Sequence, residues 1–97
     1  MNEKYIQALR NAIQHMHGCA CRYIKTVPIC EMFQGKVAWD GSVEVFDLAG
    51  HPKARQCYAW GFQEDGGPWQ YVAVLAVPPV NSPVDAVRAY ILTQRKP

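Results

Sequence analysis

The fold is decided by the stretch RQCYAWGFQEDGGPWQYVAVLAVPP, residues 55–79. Its first and last parts are rich in aromatic and β-branched residues, which favour extended structure. Residues 63–68 between them are polar or turn-forming. The stretch therefore predicts two neighbouring strands, Arg55 to Phe62 and Trp69 to Val77, joined by a loop. Proline at 78 and 79 ends the second strand, because proline cannot donate to a ladder.

Two further strands are predicted upstream of this stretch. Residues 19–29 show an extended pattern that contains Pro28, which places the strand at a sheet edge or at a bulge. Gln34-Gly35 is typical of a hairpin turn. The next strand runs from Val37 to Leu48. Asp40-Gly41 within it could be a bulge or a second tight turn, and the bulge is favoured because the pattern continues beyond it. Short loops between consecutive strands favour an antiparallel meander.

A helix is predicted at each end of the sheet. An apolar stripe at three- and four-residue steps predicts a helix from Asn2, its N-cap, to His17, and Gly18 closes it. The second helix has Ser82 as its cap, Pro83 in its first position and Asp85 at capping-box spacing. The predicted fold class is α+β in the order α-β-β-β-β-α. We expect both terminal helices to pack on one face of the four-stranded sheet.

Length and composition favour one domain that spans residues 1–97. Hydrophobic residues make up 49% of the chain and charged residues 19%, which is typical of a globular protein. The net charge of +2 is spread along the chain and disfavours nucleic-acid binding. Apolar runs are too short to cross a membrane, and no apolar leader is visible. We therefore expect a cytoplasmic protein with reduced cysteines and no membrane partner.

Strands three and four carry apolar side chains on both of their faces. If both helices cover one face, the other face is left apolar, which predicts a homodimer through the open face or an edge. A twisted sheet covered by loops and an apolar ligand cavity are the two alternatives. The predicted interface residues are Tyr58, Trp60, Phe62, Trp69 and Tyr71.

The segment from His15 to Cys21 contains four soft or borderline metal ligands. The two histidines point in different directions on a helix, and the spacing of Cys19 and Cys21 is not that of a zinc site. We therefore predict no metal site and no cofactor. The cysteines lack a base and an activating environment, so no catalytic residue is predicted either.

The segment GHPKAR, residues 50–55, is the best local candidate for a binding site. It places His51, Lys53 and Arg55 on an exposed connection, where they could hold a carboxylate or a phosphate. Trp39 or Trp60 would supply an apolar wall. The competing interpretation is an ordinary solvated turn.

Six segments together resemble small uncharacterised bacterial proteins, some of them encoded by integron cassettes. The segments are TVP (26–28), FQG (33–35), WDGSVEVF (39–46), GHPKA (50–54), CYAW (57–60) and PPVNSP (78–83). The resemblance implies no activity, ligand or catalytic residue.

The sequence predicts a small non-enzymatic binding or interaction domain that associates with itself through the sheet. The alternative is a small enzyme or ligand-binding protein that uses an apolar pocket beside His51, Lys53 and Arg55. A homodimer is the expected partner, and both hypotheses leave room for a small-molecule or protein ligand.

Overall fold

The computed structural model describes residues 3–94, which form two helices and a four-stranded sheet. The elements are α1 (Glu3–His17), β1 (Ala20–Phe33), β2 (Lys36–Ala49), β3 (Gln56–Gln63), β4 (Trp69–Leu75) and α2 (Pro83–Gln94). The sheet has the order β1-β2-β3-β4, and every neighbouring pair is antiparallel. The predicted α+β fold and its element order are confirmed.

The local signals at the helix ends are also confirmed. Gly18 adopts a φ of 70° after α1, and its amide donates to the Gln14 carbonyl at 2.8 Å. Before α2, the Asp85 amide donates to Ser82 Oγ at 3.2 Å. The Asp85 carboxylate accepts in return from the Asn81 amide at 3.0 Å. The predicted cap at Asn2 lies outside the described residues.

β1 is an edge strand, as Pro28 predicts, and it is joined to β2 by a tight turn at Gln34 and Gly35. Both turn residues have positive φ, 51° and 77°, which matches a two-residue hairpin loop. The bulge predicted at Asp40-Gly41 is wrong, because both residues pair in register with β1. Glycine at position 41 instead allows the indole of Trp39 to pack against the backbone, since a Cβ on Gly41 would lie 3.1 Å from that ring.

The two helices pack on opposite faces of the sheet, so the prediction of a single shared face is wrong. Leu9 and Ile13 of α1 pack against Phe46, Cys57 and Ala59. The connections at the two ends of the sheet are independent, and nothing in the chain forces both helices to the same side. Because both faces are apolar, each face needs a helix of its own.

The face under α2 carries the other half of the alternating strand residues. Ala86 and Val87 of α2 pack against Val45, Tyr58 and Trp60. Tyr58 and Trp60 alternate with Cys57 and Ala59 along β3, which confirms that the helices lie on opposite sides. The apolar residues at the centre of β3 are therefore buried within one chain, whereas those of β4 are half-buried or exposed.

Candidate functional site

The sheet divides into two arms because the ladder between β2 and β3 is short. β1 pairs with β2 along their whole length, and β3 pairs with β4 from Cys57 to Gln63. In contrast, β2 pairs with β3 only from the Asp47–Gln56 pair to the Glu44–Ala59 pair. Residues 36–43 of β2 and residues 60–63 of β3 are not paired with each other, and we call the opening between them the fork.

The phenol of Tyr5 closes the base of the fork. The Leu48 amide donates to the Arg55 carbonyl at 2.8 Å, so alternate residues of β3 from Arg55 onward direct their backbone groups toward β2. Gly61 belongs to this set, and its amide donates to Tyr5 Oη at 2.7 Å. The helix α1 thus supplies the hydrogen bond that β2 no longer provides.

Glycine is required at position 61 because two tyrosine rings lie close to its backbone. A Cβ at this position would lie 2.9 Å from the ring of Tyr71 and 3.2 Å from the ring of Tyr5. Burial raises the pKa of Tyr5, and the negative charge of Glu44 raises it further, although the bond from Gly61 opposes both effects. The Tyr5 hydroxyl is therefore neutral across the physiological range.

Aromatic rings from three elements line the fork. The ring centroids of Trp39 on β2 and Trp60 on β3 are 5.3 Å apart, with their planes inclined by 68°. Trp60 and Tyr90 of α2 are 5.4 Å apart at 88°. Phe62 and Tyr90 follow at 6.4 Å and 60°. These contacts form a continuous aromatic wall from one arm of the sheet to the helix that covers it.

Three carboxylates, Asp40, Glu44 and Glu64, line the same cleft. Glu44 is only 4% exposed, and its carboxylate accepts a hydrogen bond from Thr26 Oγ1. Tyr23 Oη lies 2.6 Å from the same threonine oxygen and extends the network. Asp40 and Glu64 are exposed. Within the described part of the chain, no lysine or arginine lines it.

The cleft has a volume of about 350 Å³, which is at the lower end of the range for small-molecule sites. Trp60, in its wall, is 3% exposed, and its Nε1 has no hydrogen-bond partner among residues 3–94. A buried donor without a partner costs about 1–3 kcal/mol of stability. The indole therefore holds its place through packing and not through hydrogen bonding.

The structure separates the binding residues predicted from the sequence into different places. Trp39 and Trp60 line the fork. Lys53 and Arg55 line another depression, of about 560 Å³, which also contains Asp47. The predicted pocket, with a tryptophan wall beside the basic residues, is therefore not formed.

His51 is engaged in the turn that carries it. Its Nδ1 accepts from the amides of Lys53 and Ala54 at 3.0 and 3.1 Å, so the imidazole caps its own loop. Its ring also meets that of His17 edge to face, with centroids 6.4 Å apart. This histidine is a turn-stabilising residue in the structure.

The predicted interface residues differ in their exposure. Tyr58 and Trp60 are 4% and 3% exposed and lie under α2, so they cannot form an interface of the folded chain. Phe62 and Tyr71 are half-buried. Only Trp69 is well exposed, at 51%, and its ring lies 6.2 Å from that of Tyr5.

The cluster from His15 to Cys21 is divided by the end of α1. His17 Nε2 donates to the Ala73 carbonyl at 3.0 Å and pins the helix end to β4. Among the described residues, no group of three histidine, cysteine or acidic side chains could hold a metal ion. All four cysteines are free, and only Cys30 is exposed. Burial raises the pKa of Cys57 to about 12, so its thiol stays protonated and is a poor nucleophile.

Sequence reasoning missed Tyr5, Glu44 and Tyr90 as members of the site. Glu44 carries a usable signal, since it stands between valines in the strand SVEVF and such a carboxylate needs a partner when buried. Tyr5 and Tyr90 carry none. Each is one more apolar residue of a helix, and only the tertiary fold brings the two helices to the fork.

Comparison of the chain with family models, curated proteins and solved structures finds no significant match. The resemblance to integron-cassette proteins thus stays a prediction. No helix within residues 3–94 has the length and apolar character needed to span a membrane.

Proposed function

We propose that this chain is a small non-enzymatic binding domain, and that it binds a small-molecule ligand in the fork. One observation carries the proposal: the β2–β3 ladder ends at Glu44–Ala59, and the opening beyond it is lined by aromatic rings and carboxylates. Ligand sites typically combine aromatic walls with a few polar groups in this way.

The hydrogen bonding around the cleft supports binding by a preformed site. Its walls come from paired strands and from α2, and its base is held by the bond from Gly61 to Tyr5. A site that is already formed loses little conformational entropy when a ligand enters. The free and mostly buried cysteines are in keeping with the predicted cytoplasmic location.

The experiment is a titration of ¹⁵N-labelled protein with a panel of small cationic, anionic and neutral compounds. The chain has three indole N–H probes, and they divide into a test and a control. Trp39 and Trp60 line the fork, whereas Trp69 lines a separate depression beside Tyr5. A fork ligand shifts the first two signals and leaves Trp69 unchanged.

Substitution supplies the matched control. Trp39→Leu should abolish the shift, and Trp69→Leu should preserve it, while dispersed amide spectra show that both variants fold. The proposal fails if no compound in the panel moves Trp39 or Trp60, or if every compound moves all three indoles equally.

Self-association is a second candidate function, favoured by an exposed apolar tip. The tip consists of Met32, Phe33, Val37 and Leu92, which are 53%, 46%, 58% and 67% exposed. It adjoins the outer side of β1, a sheet edge that a second copy could extend by the same surface under two-fold symmetry. The tip takes the place of the open sheet face in the predicted dimer, because the two helices cover both faces of the sheet.

Sedimentation equilibrium tests this second candidate. Leu92→Glu should convert a dimer to a monomer, whereas Met16→Glu, at an exposed site on α1, should not. A wild-type mass of one chain at micromolar concentration removes the candidate.

A further inference from the structure

We propose that the fork selects a small organic cation whose charge lies on a methylated or quaternary ammonium group. This inference rests on the proposed function, since it names the ligand class of the same site. It is argued from the charge of the cleft, the arrangement of its rings and the chemistry of the ammonium ion.

The charge of the cleft is opposite to that of the whole chain. The sequence carries a net charge of +2, yet Asp40, Glu44 and Glu64 line the fork without a basic side chain among the described lining residues. A cleft with apolar walls focuses the field of the charges that line it. The fork therefore attracts cations and repels anions.

Two of the rings that line the cleft, Trp39 and Tyr90, are half-buried and therefore accessible in part to a cation, whereas Trp60 between them is only 3% exposed. A parallel stack would cover one face of each ring, but an edge-to-face contact covers a face of only one ring in the pair. The pairs Trp39–Trp60 and Trp60–Tyr90 are both edge to face, at 68° and 88°. Tryptophan and tyrosine faces attract a cation within about 6 Å of the ring centroid.

Methylation of the ammonium fits the polar groups that the cleft offers. A primary ammonium has three N–H donors and is strongly hydrated, so it needs several acceptors at close range. One of the three carboxylates, Glu44, is buried and already accepts from Thr26. A methylated ammonium needs fewer acceptors, and its methyl groups pack directly on the rings.

The test compares choline chloride with 3,3-dimethylbutan-1-ol, the neutral molecule in which carbon replaces the nitrogen. Both have nearly the same shape, so a difference in affinity measures the charge. We expect choline to bind about 3- to 30-fold more tightly, the range of a cation–π contact from exposed to desolvated sites. Affinity is read from the Trp39 and Trp60 indole shifts, with Trp69 as the internal control.

Two neighbouring acidic residues give a matched pair of variants. Glu64 lines the cleft, and Asp65 beside it does not. Glu64→Gln should weaken choline binding about two- to fivefold, as expected for one exposed charge, and leave the affinity for the neutral alcohol unchanged. Asp65→Asn removes the same charge one residue away, at a positive φ of 45° that asparagine tolerates, and should have a smaller effect.

The outcomes separate this inference from the proposed function. Equal affinities for choline and its neutral isostere, both at Trp39 and Trp60, overturn the cation inference and leave the fork as a ligand site. Absence of any choline shift at millimolar concentration also overturns the inference, while the wider compound panel then decides whether the fork binds ligands at all.

Discussion

Replacement of Tyr5 by phenylalanine tests whether α1 completes the sheet at the fork. The substitution keeps the ring that packs near Trp69 and removes the hydroxyl that accepts from the Gly61 amide at 2.7 Å. Gly61 is half-buried and faces the gap between the strands, so its amide loses its partner and gains only partial access to water.

The expected loss follows from that partial access. A fully buried donor without a partner costs about 1–3 kcal/mol, and a half-buried one falls in the lower part of that range. We therefore expect the free energy of unfolding to fall by about 1–2 kcal/mol. In a domain of this length, each kcal/mol lowers Tm by about 4–8 °C.

Urea denaturation followed by far-UV circular dichroism measures the change. Tyr71→Phe is the matched control, because the hydroxyl of Tyr71 makes no hydrogen bond to another residue of the segment 3–94 while its ring also packs beside Gly61. Hydrogen exchange at the Gly61 amide adds a local readout, since the amide should exchange faster only in Tyr5→Phe. A loss below about 0.5 kcal/mol with unchanged Gly61 exchange would refute the closing role of Tyr5.

Three further predictions concern the cysteines and a helix cap. Burial raises the pKa of Cys57 from 9.0 to about 12. The protonated thiol therefore makes its full contribution to the free energy of unfolding below pH 9, and this contribution is lost as the pH rises toward 12, by about 1.4 kcal/mol per pH unit. Urea midpoints at pH 8 and pH 10.5 should therefore diverge less in Cys57→Ala than in the wild type, and equal slopes would contradict the assignment. Cys30 alone should react quickly with Ellman's reagent in the native state, and Cys30→Ser should remove the fast phase; a second fast thiol would show that a buried cysteine is accessible. Ser82→Ala should lower stability by about 1 kcal/mol through loss of the α2 cap, whereas Ser42→Ala, at an exposed position of β2, should change it little; equal losses would argue against capping.

Local chemistry explains the parts of the fold that the sequence predicts. Gly18 ends α1 because a left-handed residue satisfies the last carbonyls, and Ser82 starts α2 because its hydroxyl binds a free amide. The turn at Gln34-Gly35 needs residues that accept positive φ. Each of these signals depends on a few adjacent residues, so a single sequence contains it in full.

The parts that the sequence does not predict depend on long-range placement. Alternation along β3 shows that both faces are apolar, but it does not say which helix covers Tyr58 and which covers Cys57. The sequence also does not predict where the β2–β3 ladder ends. Trp39 and Trp60 lie in strands whose local pattern continues beyond the last β2–β3 pair, Glu44–Ala59. The fork forms where the two arms of the sheet diverge. That divergence depends on the tertiary packing of Tyr5 and Tyr90, which no local sequence pattern predicts.

The position of α2 in the chain has a consequence for synthesis on the ribosome. The strands and α1 emerge before α2, so the nascent sheet can cover only one of its faces at first. Val43, Val45 and Tyr58 then meet water until residues 83–94 emerge and dock. Transiently exposed apolar surface of this kind promotes aggregation and chaperone binding. A chain arrested before α2 should therefore bind chaperones more than a chain that includes residues 83–94.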